Sequence, residues 1–289
     1  MNRVEVYSQH RPLLFSIAYR MLGSVMDAKD MVQETFLRWQ EAPIGEVRSP
    51  KSYLSTVVTR LCIDQLRSAR AQREQYIGPW LPEPLITEEM SSMDDKLTMA
   101  DSLSMAFLVL LETLTPTERA VFLLREVFDY EYAEVARIVD KSESNCRQMV
   151  RRARERISQQ KPRFDVSRER LEQLTERFLQ AASDGDMQDL LSLLADDVIL
   201  WSDGGGKVPA ALRPVQGAMN VARLFVGLSK RTPLGFASRL TLINGLPGVI
   251  SYVDGQPQGV YSLEVADDKI RVIRIVVNPE KLQRVPPAQ

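Results

Sequence analysis

The sequence predicts two all-helical modules followed by an α+β domain. Three observations carry that expectation. Residues 5–76 repeat apolar side chains at helical spacing. Residues 101–160 do the same and finish in a segment, 142–156, that carries five arginines (Arg147, Arg151, Arg152, Arg154, Arg156). From about Ser167 amphipathic helices give way to short alternating runs separated by turn dipeptides. At 289 residues the chain has room for more than one compact domain.

In the first module Leu13, Leu14, Ile17, Ala18, Met21 and Leu22 recur every three or four residues, and Gly23 stops the run. Ala28, Met31, Val32, Thr35, Phe36 and Trp39 form the next apolar stripe, leaving Asp27, Lys29, Asp30, Gln33 and Glu34 to face outward. Ser49-Pro50 supplies an N-cap and a proline at the first helical position. The following helix buries Leu54, Val57, Val58, Leu61 and Cys62, and turns Arg60, Arg67 and Arg70 outward.

Residues 77–100 hold three prolines, an acidic run and little periodicity, which reads as a linker. Its WLPEP stretch is unusual for a spacer. Trp80 is costly to leave in water and is expected to dock on something. In the second helical module, Thr115-Pro116-Thr117-Glu118 is a capping box with proline at the first position. Tyr132, Val135, Ala136 and Val139 form the first helix of a helix-turn-helix, and Ser142 caps the second. Cys146, Met149, Val150, Ala153 and Ile157 make the buried stripe of that second helix, so Asn145, Arg147, Gln148, Arg151, Arg152 and Glu155 are exposed.

The C-terminal domain, residues 167–289, has helices at RERLEQLTERFLQAAS, at MQDLLSLLA and around 217–229. Strands are expected at VILWSD, SRLTLI, GVISYV, GVYSLEV and IRVIRIVV, with turns at Asn244-Gly245, Asp254-Gly255 and Asp267-Asp268. An antiparallel meander curved around helices follows.

The formal net charge of −1 conceals segregation. Arg137, Lys141, the five arginines of 142–156, Lys161 and Arg163 face only Asp140, Glu143 and Glu155 in the same stretch. Arg60, Arg67, Arg70 and Arg73 form a second basic island with Asp64 as the single acid. The intervening linker is acidic, through Glu83, Glu88, Glu89, Asp94, Asp95 and Asp101. Two basic islands suit a protein that touches DNA at two places. No apolar run is long enough to span a bilayer, and the N-terminal residues lack an apolar core of the signal-peptide kind. Cys62 and Cys146 have no metal-like spacing, so reduced thiols, a cytoplasmic location, no metal and no cofactor are expected.

The helix at 142–156 carries arginines expected to lack compensating carboxylates four residues away, which favours a major-groove role over a solvated basic face. Arg147, Gln148 and Arg151 are then the base-reading candidates, while Lys141, Asn145 and Arg152 position the backbone. For Arg60, Arg67, Arg70 and Arg73 a solvated face and DNA contact both remain open, with Asp64 able to pair with Arg60 or Arg67.

Three stretches together, DAKDMVQETFLRW, PKSYLSTVVTRLCIDQLRSARAQRE and LTPTERAVFLLREVFDYEYAEVARIVDKSESNCRQMVRRARERI, resemble the extracytoplasmic-function group of the sigma-70 family. The resemblance implies a dissociable promoter-recognition subunit of bacterial RNA polymerase. It implies that residues 1–76 are sigma region 2, with Asp27, Asp30, Gln33, Glu34, Phe36 and Trp39 on the polymerase-docking segment. Residues 45–73 would capture the minus-ten element. Residues 101–160 would be region 4, reading the minus-thirty-five element. WLPEP (Trp80, Leu81, Pro82 and onward), DGGGK (Asp203, Gly204, Gly205, Gly206, Lys207) and NPEKL (Asn278, Pro279, Glu280, Lys281, Leu282) are similar to the subgroup fused to a SnoaL-like domain of the NTF2 cone fold. Glu280 stands where that subgroup is expected to have aspartate. The resemblance implies regulation in cis through those three motifs, with a small-molecule or protein signal acting on the C-terminal domain.

DGGGK is not a phosphate-binding loop, because the upstream glycine and the following Ser/Thr are missing. Its glycines suit a loop lying close against a neighbour. The single histidine, His10, lies in the first module, so a histidine base is excluded from the C-terminal domain. A lone buried acid, Asp203 or Asp254, is the remaining catalytic candidate, and a ligand-sensing or vestigial pocket is the favoured reading. The alternative to a sigma factor is a polymerase-independent helix-turn-helix regulator with a small-molecule-sensing C-terminal domain.

Overall fold

The computed structural model describes residues 2–43, 47, 49–73, 76–87, 103–160 and 166–288, without the side chains of 69–73 and 160. The acidic run from Glu88 to Asp101, together with Lys161, Arg163 and the side chains of Arg70 and Arg73, lies outside the described residues. The chain forms two compact units, Met1–Gln75 with Phe107–Lys161, and Tyr76–Ala106 with Pro162–Gln289.

The first unit is all helical. Helix α1 (Arg3–Leu22) starts with an Asn2–Glu5 capping box and ends at Gly23, whose φ of 65° closes the last turn. Helix α2 (Val25–Glu41) is capped by Ser24, and α3 spans Pro50–Arg73 with the Ser49 hydroxyl accepting from Ser52 N at 3.3 Å. The core between them holds Leu14, Ile17, Ala18, Met21, Ala28, Val32, Leu54, Val58 and Cys62. Helices α4 (Met105–Leu111), α5 (Pro116–Glu126), α6 (Tyr132–Val139) and α7 (Glu143–Gln160) follow. The Thr115–Glu118 capping box forms as the sequence suggests. Asp140, at φ 54°, turns α6 into the approach to α7. Cys146, Val150, Ala153 and Ile157 are the buried stripe of α7.

The second unit is an α+β domain built on one six-stranded sheet. Helices α8 (Arg168–Asp184), α9 (Met187–Leu193) and α10 (Ala218–Ser229) accompany strands β1 (Leu194–Asp203), β2 (Val215–Gln216), β3 (Phe236–Ile243), β4 (Leu246–Val253), β5 (Gln256–Ala266) and β6 (Lys269–Val276), and α11 (Pro279–Leu282) closes the chain. Strands β3 to β6 form the expected meander. Its turns at Asn244-Gly245, Asp254-Gly255 and Asp267-Asp268 all have positive φ at both positions, as type I′ hairpin turns require. The sheet is nevertheless mixed, in the order β2-β1-β6-β5-β4-β3. β1 runs parallel to β6, and β2 covers its other edge. Leu174, Phe178, Leu190, Val221 and Phe225 from the helices meet Leu200, Leu263 and Ile273 from the sheet in one core.

Residues 77–87 are not a free spacer. They belong to the second unit, and Ile86 bridges antiparallel to Ile243 at the outer strand. Asn244 fastens this segment: its Oδ1 accepts from Leu85 N at 3.1 Å, its own N–H donates to Leu85 O at 2.7 Å, and Nδ2 donates to Leu103 O at 3.0 Å.

Candidate functional site

The recognition helix α7 exposes Asn145, Arg147, Gln148, Arg151 and Arg152, with Lys141 exposed just before it. The expectation that its arginines lack partners is corrected. Arg147 pairs with Glu143 at 3.2 Å and lies 4.3 Å over the Tyr132 ring, and Arg151 approaches Glu155 at 3.9 Å. Arg154 bonds Glu126 at 2.7 Å and Arg156 bonds Glu118 at 3.0 Å, so these two tie α7 to α5. Among the described residues Arg152 makes no ion pair, which leaves its charge available to a phosphate. Burial works to raise the Glu118 pKa, but the Thr115 hydrogen bonds and Arg156 outweigh it and hold the carboxyl below its usual range. The stability this gives is present above the ordinary carboxylate pKa and is lost as pH falls through the lowered one. Glu118→Gln is therefore expected to flatten the acid limb of a pH-dependent urea midpoint series.

On α2, Asp30 and Gln33 are exposed, while Asp27 and Glu34 are partly covered and Glu34 pairs with Arg38 at 2.9 Å. Phe36 packs on Tyr7 with ring centroids 4.6 Å apart. Trp39 is a correction to the docking set: it is buried, and its Nε1 donates to Arg3 O at 3.0 Å. An indole spent on closing α1 against α2 is not available to a partner. On α3, Arg67 pairs with Asp64 at 3.4 Å.

Arg60 takes a different course. Its guanidinium donates to Ile138 O at 2.9 Å and Arg137 O at 3.0 Å, capping the C-terminal end of α6. Nearby, the buried hydroxyls of Ser55 and Tyr130 lie 2.6 Å apart, and Lys51 lies 5.4 Å over the Tyr130 ring. Arg119 Nη1 donates to Met21 O at 2.6 Å and pairs with Glu112 at 2.8 Å. Arg20 is buried beneath Phe128 at 5.5 Å, and burial pushes its guanidinium pKa down to about 10, so it stays charged at neutral pH. Sequence reasoning missed Ser55, Arg119 and Tyr130, which lock helices α1 and α3 onto α5 and α6.

In the second unit, the three motifs converge on Asp203, which is fully buried at the end of β1. Its carboxylate accepts from Tyr76 OH at 2.6 Å, Leu81 N at 2.8 Å and Gly205 N at 3.1 Å, and pairs with Lys281 at 2.7 Å. Lys281 also donates to Leu81 O and sits 4.4 Å over the Trp80 ring. Asn278 Nδ2 donates to Tyr76 OH at 2.9 Å, and Lys207 pairs with Glu280. Burial first, then the bond to Asp203, pushes the Tyr76 phenol pKa up, so it remains a donor. Leu81, Pro82 and Leu282 are buried around the hub. Tyr76 escaped sequence reasoning because it precedes the motif it serves.

The glycines permit this contact. Gly205 has φ 60°, and a Cβ there would lie 2.3 Å from Asn278 Nδ2; at Gly206, φ 71°, it would lie 2.8 Å from Ile77 Cδ1. A Cβ on Gly204 would meet Val208 O at 2.7 Å. Gly205→Ala is expected to cost about 1–3 kcal/mol, read as a lower urea midpoint.

Among the described residues no helix is long and apolar enough to cross a membrane, and no cluster of three or more His, Cys, Asp or Glu side chains could hold a metal. Asp203 is engaged by the motifs, and Asp254 lies in the β4–β5 turn.

A helix-turn-helix with an exposed basic recognition helix, packed beside a three-helix module, defines a two-module DNA-binding protein. The sequence matches Sigma-70 region 2 over residues 6–72 and Sigma-70, region 4 over residues 104–157. It is 36% identical to the ECF RNA polymerase sigma factor SigJ of Mycobacterium tuberculosis, over 99% of this chain and 94% of SigJ. It is 32% identical to the "Probable ECF RNA polymerase sigma factor SigI" of the same species, over 94% of this chain and 92% of SigI. The crystal structure of Mycobacterium tuberculosis SigJ superposes with a TM-score of 0.76 at 33% identity, covering 97% of this chain and 98% of that one. The chain belongs to the extracytoplasmic-function RNA polymerase sigma factors.

Proposed function

We propose that this sigma factor brings core RNA polymerase to promoters in the cytoplasm through two separate DNA contacts, and that its C-terminal domain regulates it in cis rather than catalysing a reaction. Residues 1–76 serve as region 2, docking on polymerase through Asp27, Asp30, Gln33, Glu34 and Phe36. Arg60 and Arg67, with Arg70 and Arg73 further along α3, serve the minus-ten element. Residues 101–160 serve as region 4, with Arg147, Gln148 and Arg151 toward base edges and Lys141, Asn145 and Arg152 toward phosphates. Residues 167–289 are the regulatory domain. The single observation that supports cis regulation is the Asp203 hub, in which the C-terminal unit grips the segment that joins the two DNA-reading modules. Trp80→Ala, and separately truncation before Asn278, are expected to change promoter output in transcription with purified core polymerase. Unchanged output from both would remove the regulatory role.

The contacts of α3 with α6 bear on the mechanism. The two promoter elements are centred roughly 25 base pairs apart, about 85 Å along the duplex at 3.4 Å per step. Arg60 lies 2.9 Å from Ile138 O, so the two modules separate before both elements are read. Tyr130→Phe strands the buried Ser55 hydroxyl and is expected to weaken the closed packing by about 1–3 kcal/mol. The expected readout is faster amide exchange in α5 and α6, with promoter-complex formation raised about threefold or more.

A further inference from the structure

The concave side of the C-terminal sheet holds a cavity of about 220 Å³ that opens at the surface between the end of α10 and the start of β3. Phe178, Phe225, Val249 and Leu263 form its walls. Small side chains at Ala182, Ser238 and Ser251 leave the space, where neighbouring positions carry leucine and isoleucine that fill the core. Ser251 and Tyr261 each bring a hydroxyl to its lining, and burial raises the Tyr261 pKa so that its O–H stays protonated. Ser251 Oγ is otherwise spent only on a long bond to Gly259 O at 3.4 Å. Among the described residues the one charged group on the lining is Arg231, at the exposed mouth.

The chemistry of this lining selects its occupant. An ionised group inside would find no counter-charge and would lose its hydration, at a cost of several kcal/mol. The apolar walls reward a hydrocarbon body, and the hydroxyl pair rewards one hydrogen-bonding group. An apolar cavity of about 150 Å³ accepts benzene, so this one has room for a fused bicyclic skeleton or its equivalent.

We propose that this cavity binds a neutral, mainly apolar molecule of roughly ten to twelve non-hydrogen atoms that carries one hydroxyl or carbonyl group received by Ser251 and Tyr261. This deepens the regulatory reading of the domain, but binding is measured without polymerase or DNA and therefore stands or fails separately from it.

The test is an equilibrium fluorescence titration of the full-length chain with 2-naphthol, with naphthalene and 2-naphthoate as comparators. Saturable binding of 2-naphthol at one site is expected, with naphthalene about fivefold weaker and 2-naphthoate about tenfold weaker or worse. Tyr261→Phe is expected to bring 2-naphthol to the level of naphthalene while leaving naphthalene unchanged. Ala182→Leu fills the space and is expected to abolish binding of both, with an unchanged melting temperature showing that the fold is intact. The proposal is overturned if neither neutral probe saturates, or if 2-naphthoate binds as tightly as 2-naphthol. It is equally overturned if the folded Ala182→Leu chain binds like the parent.

Discussion

Asp203→Ala is expected to destabilise the C-terminal unit by about 3–5 kcal/mol, the cost of removing one partner from a buried ion pair. The carboxylate is fully buried, and Lys281 is nearly so, with its side chain 13% exposed. Loss of Asp203 removes the carboxylate from the Lys281 ammonium and leaves the Tyr76 hydroxyl, Leu81 N–H and Gly205 N–H without their acceptor. Lys281→Met is expected to cost less, because the carboxylate keeps three donors. Urea unfolding followed by the fluorescence of Trp80 and Trp201 separates the two variants, and limited proteolysis should show residues 76–87 released in Asp203→Ala. A loss below about 1 kcal/mol would place the hub among surface-like pairs and sink the structural role assigned to the three motifs.

The second large effect is expected on the recognition helix. Arg152→Ala should weaken binding to every promoter sequence and lower the salt slope of the affinity by about one, the mark of a lost phosphate contact. Arg151→Ala should instead cost about 1–3 kcal/mol, roughly 5- to 150-fold, and relax preference at one position of the minus-thirty-five element. Arg154→Ala should do neither to the same degree, since Arg154 is already engaged by Glu126 at 2.7 Å. Its loss should appear in thermal stability. Promoter fragments with single base changes, titrated at several salt concentrations, distinguish the three patterns.

The helices were legible because their signals are local. Ser49, Thr115 and Gly23 mark ends through their own caps, and the stripe Cys146, Val150, Ala153, Ile157 needs only a period to be read. The three hairpin turns were legible for the same reason. The parallel pairing of β1 with β6 was not, because VILWSD alternates identically whichever neighbour it has. The acids on α7, Glu143 and Glu155, stood in plain view at the spacing that pairs them with Arg147 and Arg151. Glu118 and Glu126 did not, since they reach α7 from 38 and 28 residues away. At the hub, the motifs and Asp203 could be named from the chain, but not their convergence or the part of Tyr76. Tyr76 meets Asp203 across 127 residues, and an isolated tyrosine beside a proline-rich stretch carries no periodic signature. Arg60 looked like a member of a basic island, yet its guanidinium is held by the carbonyls of α6.

The most direct measurement is to mix the purified full-length chain with bacterial core RNA polymerase and follow complex formation and promoter-directed transcription, beside a chain ending at residue 165. A stable holoenzyme that starts transcription at defined promoters, with output altered by loss of the C-terminal domain, is the predicted result. Promoter binding by the chain alone with no holoenzyme formed would contradict it, and would mark a DNA-binding regulator that works without polymerase.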